Sequence, residues 1–362
     1  MKLKRLLSYG FSDKAPREQE RLLNTYTREF IKGLKSQGTH AVDLVKWFNF
    51  ITFDIISDLT FAKSFDCLSS SEYHPWVAMI FGVTRYATWI RALSRLAPGC
   101  VEMLLSLIPR NIARERNATW AMAREKMFRR RERSPKHIDF ATYLLRAEQA
   151  RNLDMEDLVS NAPILVVAGS ETRATLLSGA AYYTASHPII HKRLAREIRD
   201  QFNRVDEITL ARLGDLSLRI YLHANSNHPR LLPPEGATIC GRFVPGGSLI
   251  GVGHYSCFRS SSNFADPDDF VPERWLSEDI KYASDRRETL QPFGTGIRSC
   301  IVKSHAYNEM RLIFAILVFE FDVELLEESS MWERQQVFTT WLKKPLMVRL
   351  HRAKVARYQA EV

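Results

Sequence analysis

Between Pro292 and Leu312 the chain reads PFGTGIRSCIVKSHAYNEMRL, and no other stretch limits the fold as much. Gly294 and Gly296 shortly precede Cys300, and a helix-like pattern follows from about Lys303 to Phe319. A glycine-rich turn lacks the Cβ atoms that keep a flat group away from the backbone, so the thiol sits where a large planar partner can approach. The other cysteines, Cys67, Cys100, Cys240 and Cys257, lie far apart and form no C-x-x-C. That spacing argues against a disulfide frame or a zinc site and for reduced thiols. Cys300 must therefore be explained by its own turn.

A thiolate is a soft, strongly donating ligand suited to iron. With no second cysteine nearby an iron–sulfur cluster is excluded, which leaves axial ligation of haem. Backbone N–H groups near the sulfur would tune its donation, and the dipole of the following helix would favour the thiolate. Arg298 stands two residues ahead, within reach of an anionic propionate. Phe293, Gly296, Arg298 and Cys300 match F-x-x-G-x-R-x-C, and Ala306, Glu309 and Arg311 continue the pattern. On these residues the chain resembles the cytochrome P450 family of haem-thiolate monooxygenases. The resemblance implies that Phe293, Gly296, Arg298 and Cys300 bind haem, with Cys300 as the iron ligand.

Elsewhere the pattern is mainly α with a small β portion. Leu22, Leu23, Tyr26, Phe30 and Leu34 recur at helical spacing over 17–36, with Gly38 just beyond. AVDLVKWFNFITFDIISDLTF, residues 41–61, is apolar on most sides and predicts a deeply buried helix. Helical segments punctuated by Pro98, Gly99 and Pro109 fill 75–133. A long helix over 155–186 crosses the interior, with Asp154 and Asp157 spaced to cap its start. After Gly236, ATICGRFVPGGSLIGVG predicts a β-hairpin turning at Pro245-Gly246-Gly247. A Pro/Asp-rich meander, the glycine turn, the last helix and the strands ending in PLMVRLH complete the order. The chain is thus read as one domain over 1–362, helical over 1–213, with hairpin, meander, turn and final helix over 236–362.

The resemblance extends further. AGSET, Ala168 to Thr172, is similar to the family's oxygen-activating stretch. It implies that Ala168 and Gly169 let a ligand approach the helix backbone and that Glu171 and Thr172 relay protons. Arg173 stands where the family commonly has Thr or Ser, and such a charge is expected to point away from the pocket. FVPERW, Phe270 to Trp275, resembles the meander motif whose arginine joins an E-x-x-R pair. Arg230 resembles the arginine that binds the second haem propionate, with a loop salt bridge as the alternative. VDLVKWFNFITFDIISDLTF, GATICGRFVPGG and DDFVPERWL resemble fungal members of the isotrichodermin C-15 hydroxylase and benzoate 4-monooxygenase kind.

Several departures shape the expectations. KRLLSYGFSDKAPREQE resembles a helix well inside family members, which puts a membrane anchor and the first strands upstream. No E-x-x-R lies between Pro188 and Phe270, so around RIYLHANSNHPRLLPPEG one short helix is expected to be missing. Arg274, if buried, would then lack its carboxylate, at a cost of about 3–5 kcal/mol. Val302 replaces a usual Gly, which predicts weaker haem seating, and His305 replaces a usual Leu and is expected to face solvent. The fold implied is the cytochrome P450 fold, incomplete in its N-terminal strands and one internal helix.

By resemblance the chain is a monooxygenase acting on a small apolar organic substrate with dioxygen and with electrons supplied by an NADPH–cytochrome P450 reductase, in fungal secondary metabolism or detoxification. The alternative is an inactive truncated relative, or an incomplete gene model, that at most binds haem. The net charge of +10 is concentrated partly between Arg124 and Lys136, a solvated face or a docking patch for an acidic partner. Nucleic acid is excluded as a partner because no zinc finger, helix-turn-helix or aromatic-basic repeat accompanies the charge. Neither G-x-S-x-G nor G-x-x-x-x-G-K-[ST] occurs, which sets hydrolase and P-loop chemistry aside. No window supplies the ~18 apolar residues a spanning helix needs. Relatives imply the cytoplasmic face of the endoplasmic reticulum, and LAPGCVEMLLSLIP offers peripheral membrane contact, with ordinary core as the plainer reading.

Overall fold

The computed structural model describes residues 15–96, 99, 103, 106, 109–133, 139–149, 154–214, 229–276, 279–338 and 340–353. The stretch 215–228, where an internal helix is expected to be missing, lies outside the described residues, as do residues 1–14 and most of 97–108. The chain divides into two compact units, Met1–Leu218 with Ile301–Val362, and Arg219–Cys300.

The larger unit is built on helices: α1 (Ala15–Ser36), α2 (Leu44–Phe61), α3 (Pro75–Leu96), α4 (Arg110–Glu132), α5 (Phe140–Gln149), α6 (Met155–Ser186), α7 (Pro188–Gln201) and α8 (Lys303–Glu320). Its main sheet is antiparallel and ordered β1 (Ala41–Asp43), β9 (Met347–Arg352), β6 (Phe321–Leu325). The expectation of a helix from residue 41 is corrected here. Ala41–Asp43 pair with β9, Val42 opposite Val348, and the helix starts only at Leu44. Asp43 ends the strand and starts the helix at once: its carboxylate accepts the Val45 N–H at 3.0 Å and the Leu346 N–H at 3.0 Å. An unpaired helix-start donor and a strand-end donor are thus both satisfied.

α2 is apolar on most sides and accordingly buried on most sides, with Phe48, Ile51, Phe53, Ile55 and Leu59 fully enclosed. Burying side chains of this size contributes about 1.5–3 kcal/mol each. α2 packs along α6, which also meets α4, while α8 packs on α1, α7 and α6. The cap expected for α6 is present: Asp154 accepts the Asp157 N–H at 2.7 Å, and Asp157 accepts the Asp154 N–H at 3.3 Å. Along its middle turns, α6 satisfies its hydroxyls on its own backbone. Ser170, Thr172, Thr175 and Ser178 each donate to the carbonyl four residues back, at 2.6–2.8 Å.

The smaller unit holds β2 (Arg230–Leu231), β3 (Ala237–Ile239), β4 (Arg242–Val244) and β5 (Leu249–Ile250). The hairpin turns elsewhere than expected. β3 pairs with β4 across Cys240 and Gly241, whose φ of 50° and 77° give the left-handed pair a two-residue hairpin requires. Pro245-Gly246-Gly247 instead leads into β5, which pairs with β2. Gly246 is packed tightly there, since a Cβ would lie 2.1 Å from the Pro234 oxygen. Among the described residues no helix is long and apolar enough to cross a membrane.

Candidate functional site

In the larger unit, residues 168–173 of α6 alternate sharply between surface and interior. Ala168 and Thr172 are exposed, while Gly169, Glu171 and Arg173 are buried. Residues four apart share one helix face, so Ala168 and Thr172 stand together with Ile164, which is 61% exposed. The Thr172 hydroxyl donates to the Ala168 carbonyl at 2.7 Å. Gly169 does not open the helix to a ligand as expected. A Cβ there would lie 2.5 Å from Ile56 Cδ1, so the glycine makes room for α2.

Glu171 is turned away from Thr172. Its carboxylate accepts from Lys343 Nζ in a buried ion pair, and Lys343 also donates to Thr175 Oγ1 at 3.1 Å. Lys343 stands out in the sequence only as one of two lysines in TWLKKPL, and that signal was too weak to join it to Glu171.

A further expectation is corrected on α8. His305 is buried, at 3% exposure, with its ring edge-on to Phe140 at 6.2 Å between centroids. It lies beside Glu309, which meets Arg173 across the helix–helix contact: Nη1 and Oε2 are 2.8 Å apart, both side chains at most 1% exposed. Arg173 therefore points inward, off the face that carries Thr172. Burial and the Arg173 charge push His305 well below its usual value, so it is neutral. Burial pushes Glu309 up to about 7, with Arg173 pulling the other way. Val302 precedes α8 with φ −100° and ψ 18°, a negative φ that does not call for glycine.

In the smaller unit the cysteine turn closes on itself. The Cys300 N–H donates to the Phe293 carbonyl at 2.8 Å, Ser299 N–H to Gly296 at 3.0 Å, and Gly294 N–H to Gln291 at 2.9 Å. Gly294 and Gly296 take φ of 65° and 69°, conformations a side chain resists. Nothing lies within 4 Å of where their Cβ atoms would be, so the turn offers open space. Cys300 is half-buried and Arg298 exposed. Arg230 lies exposed on β2 and joins none of the ion pairs recorded among the described residues. Among the described residues no group of three or more His, Cys, Asp or Glu could enclose a metal ion. A lone soft thiol in an open glycine turn suits a metal that brings its other ligands on a flat macrocycle, and haem fits that description.

Arg274 has a partner, contrary to expectation. Its guanidinium meets Asp285 at 2.6 Å, donates to the Ala265 and Asp266 carbonyls at 2.9 and 3.0 Å, and lies over Phe264 and Tyr282. Asp285 also accepts the Ala265 N–H at 2.7 Å. The carboxylate comes from the meander itself, eleven residues on.

The family described as Cytochrome P450 matches residues 1–350. Cytochrome P450 monooxygenase astJ of Aspergillus oryzae is 39% identical over 362 residues, covering 96% of this chain and 72% of the relative. Cytochrome P450 monooxygenase astA of Talaromyces wortmannii is likewise 39% identical, over 96% and 72%. Trichothecene C-15 hydroxylase of Fusarium sporotrichioides is 36% identical, over 96% and 74%. The crystal structure of the cytochrome P450DA heme domain shares the fold, with a TM-score of 0.82, 17% identity, and coverage of 98% of this chain and 77% of that one.

Proposed function

The chain belongs to the cytochrome P450 family, as a monooxygenase of the fungal type, and from that premise we propose that it hydroxylates a small apolar organic substrate in secondary metabolism or detoxification, with an NADPH-dependent reductase as electron donor. Its cofactor is haem with an axial thiolate, and it works with dioxygen and a redox partner. When bound, the haem supplies dioxygen activation, so that one oxygen atom enters a C–H bond and the other leaves as water. The observation that carries the reading is the Cys300 turn, closed by the bond from its N–H to Phe293 and opened by Gly294 and Gly296.

In this reading Cys300 is the iron ligand and Phe293 holds the turn closed behind it. Gly296 keeps the macrocycle's side of the turn free of a Cβ. Arg298 and Arg230, both exposed cations of the smaller unit, bind the propionates. Thr172, with Ala168 beside it on the exposed face of α6, supplies in this reading the hydroxyl that hands on protons. Glu171, a carboxylate held by Lys343, belongs to the same relay in this reading. Ile164 adds apolar surface to the same face, in keeping with an apolar substrate. Residues 1–362 are read as one functional domain, placed at the cytoplasmic face of the endoplasmic reticulum.

The test is direct. Haem-loaded protein, reduced and exposed to carbon monoxide, is expected to give a thiolate-type Soret band, and Cys300→Ser is expected to abolish it. With NADPH and a P450 reductase, a panel of small terpenoid and aromatic compounds is expected to include one that is hydroxylated. A thiolate band without any turnover would favour the inactive relative, and no band at all would sink the monooxygenase reading.

A further inference from the structure

Two buried ion pairs flank Thr172 in the sequence and reach different elements. Glu171, one residue before, is held by Lys343, which lies just beyond β8 (Trp341–Leu342). Arg173, one residue after, is held by Glu309 on α8 at 2.8 Å. We propose that these two pairs form a clamp that fixes the rotation of α6, and that Arg173 and Lys343 are positioning residues for Thr172. The proposal rests on the reading of Thr172 as a proton-handling group.

Successive residues of an α-helix are separated by about 100°, so positions 171 and 173 point about 200° apart, on nearly opposite sides. Thr172 lies between them, about 100° from each. Anchoring both neighbours inward leaves it one direction, outward, and that is where it is found, with Ala168 four residues back on the same exposed face. Apolar neighbours would hold this rotation weakly, since one buried alkyl surface can slide over another at little cost. A buried cation slides less readily, because leaving its partner strands the cation's own charge in a medium that does not solvate it.

The side chains around the Arg173 contact support this assignment. Three charged or titratable groups meet there, Arg173 from α6 and His305 and Glu309 from α8, with Phe140 of α5 closing one side of the imidazole. His305 is the more distant partner of Glu309, at 3.4 Å, and being neutral it does not compete for the carboxylate. Arg173 is then the one cation at this carboxylate among the described residues. None of its three nitrogens makes an aligned hydrogen bond among the described residues. Such a contact is a poor choice for stability alone, since an apolar trio of similar volume would hold the helices at least as well. What the charges add is direction.

The experiment separates holding from aiming. In the haem-loaded full chain, Arg173→Met/His305→Leu/Glu309→Met replaces the whole cluster by apolar groups and is expected to keep the wild-type unfolding midpoint. Amide hydrogen exchange over residues 164–176 is nevertheless expected to quicken by roughly ten-fold. With reductase and NADPH, the ratio of hydrogen peroxide to hydroxylated product is expected to rise by about ten-fold as Thr172 loses its aim. Lys343→Met is expected to shift both readouts the same way. A triple variant with wild-type exchange and wild-type peroxide ratio overturns the proposal. So does a set of variants whose losses simply track global stability. If the triple variant does not fold, Arg173→Lys, which keeps the charge and shortens the reach, is expected to give intermediate exchange, and wild-type exchange there counts against the clamp. If the wild-type chain forms no product, the reading of Thr172 fails, while the exchange measurement still decides whether Arg173 fixes α6.

Discussion

Arg274 and Arg173 are both buried arginines paired with a buried carboxylate, yet their surroundings differ. Arg274 has Asp285, two backbone carbonyls and two aromatic rings around its guanidinium. Every direction in which its charge spreads meets an acceptor or a π-face. Arg173 touches Glu309 at 2.8 Å, and none of its nitrogens has an aligned acceptor among the described residues. Asp285 also accepts a backbone N–H, whereas neither oxygen of Glu309 has an aligned donor among the described residues. The first arrangement is complete and holds a meander together. The second is under-satisfied, and its carboxyl can respond by taking up a proton.

The comparison can be broken most severely at Arg274. Arg274→Met leaves Asp285 buried and unpaired, and urea unfolding is expected to show a loss of about 3–5 kcal/mol. A loss under about 1 kcal/mol would mean that the meander does not depend on the pair. Arg173→Met is expected to cost less, on the order of 2–3 kcal/mol at pH 6, because Glu309, raised to about 7, is mostly protonated there and leaves little charge stranded. Equal losses at the two positions would erase the distinction.

The pH dependence sharpens it further. Glu309 is raised from 4.5 to about 7 in the folded protein, so the folded state binds that proton more tightly than the unfolded chain does. Its contribution is full below about pH 4.5 and is lost as pH rises through about 7, a change on the order of 3 kcal/mol. His305 acts oppositely, since its depressed value makes the folded state resist a proton that the unfolded chain accepts below about 6.5. Unfolding measured from pH 4.5 to 7.5 is therefore expected to steepen in His305→Leu, with stability falling toward neutrality, and to lose that fall in Glu309→Gln. A Glu309→Gln profile identical to wild type would remove Glu309 from the account. At the small end, the surface pair of Arg124 and Glu156, 2.5 Å apart but half-exposed on both sides, is expected to contribute only about 0–1 kcal/mol. Arg124→Ala measured in the same assay provides the baseline for an exposed arginine.

Periodicity and capping made the helical frame legible, because the residues that end a helix act within a few positions of it. Asp154 and Asp157 announce the start of α6 from their spacing alone. The glycine turn was equally legible, since positive φ at Gly294 and Gly296 is a local property. What stayed hidden depends on partners remote in sequence. Glu171 and Lys343 are 172 residues apart. Arg173 and His305 each looked like an isolated departure, and only the packing of α6 on α8 shows that they share Glu309. Even the hairpin shows the limit. Pro245-Gly246-Gly247 is the stronger turn signal by composition, yet Cys240-Gly241 makes the turn, because strand pairing decided between them.

The hydrogen bond from Thr172 to Ala168 has a consequence for the order of events at that hydroxyl. A hydroxyl has one proton to give and lone pairs to receive with, and here the proton is already directed at a carbonyl oxygen 2.7 Å away. A molecule arriving at this face meets Thr172 first as an acceptor. To become a donor the side chain must rotate about its Cα–Cβ bond or let the Ala168 carbonyl go. A rotamer change, quick and local, thus stands between the resting helix and proton delivery.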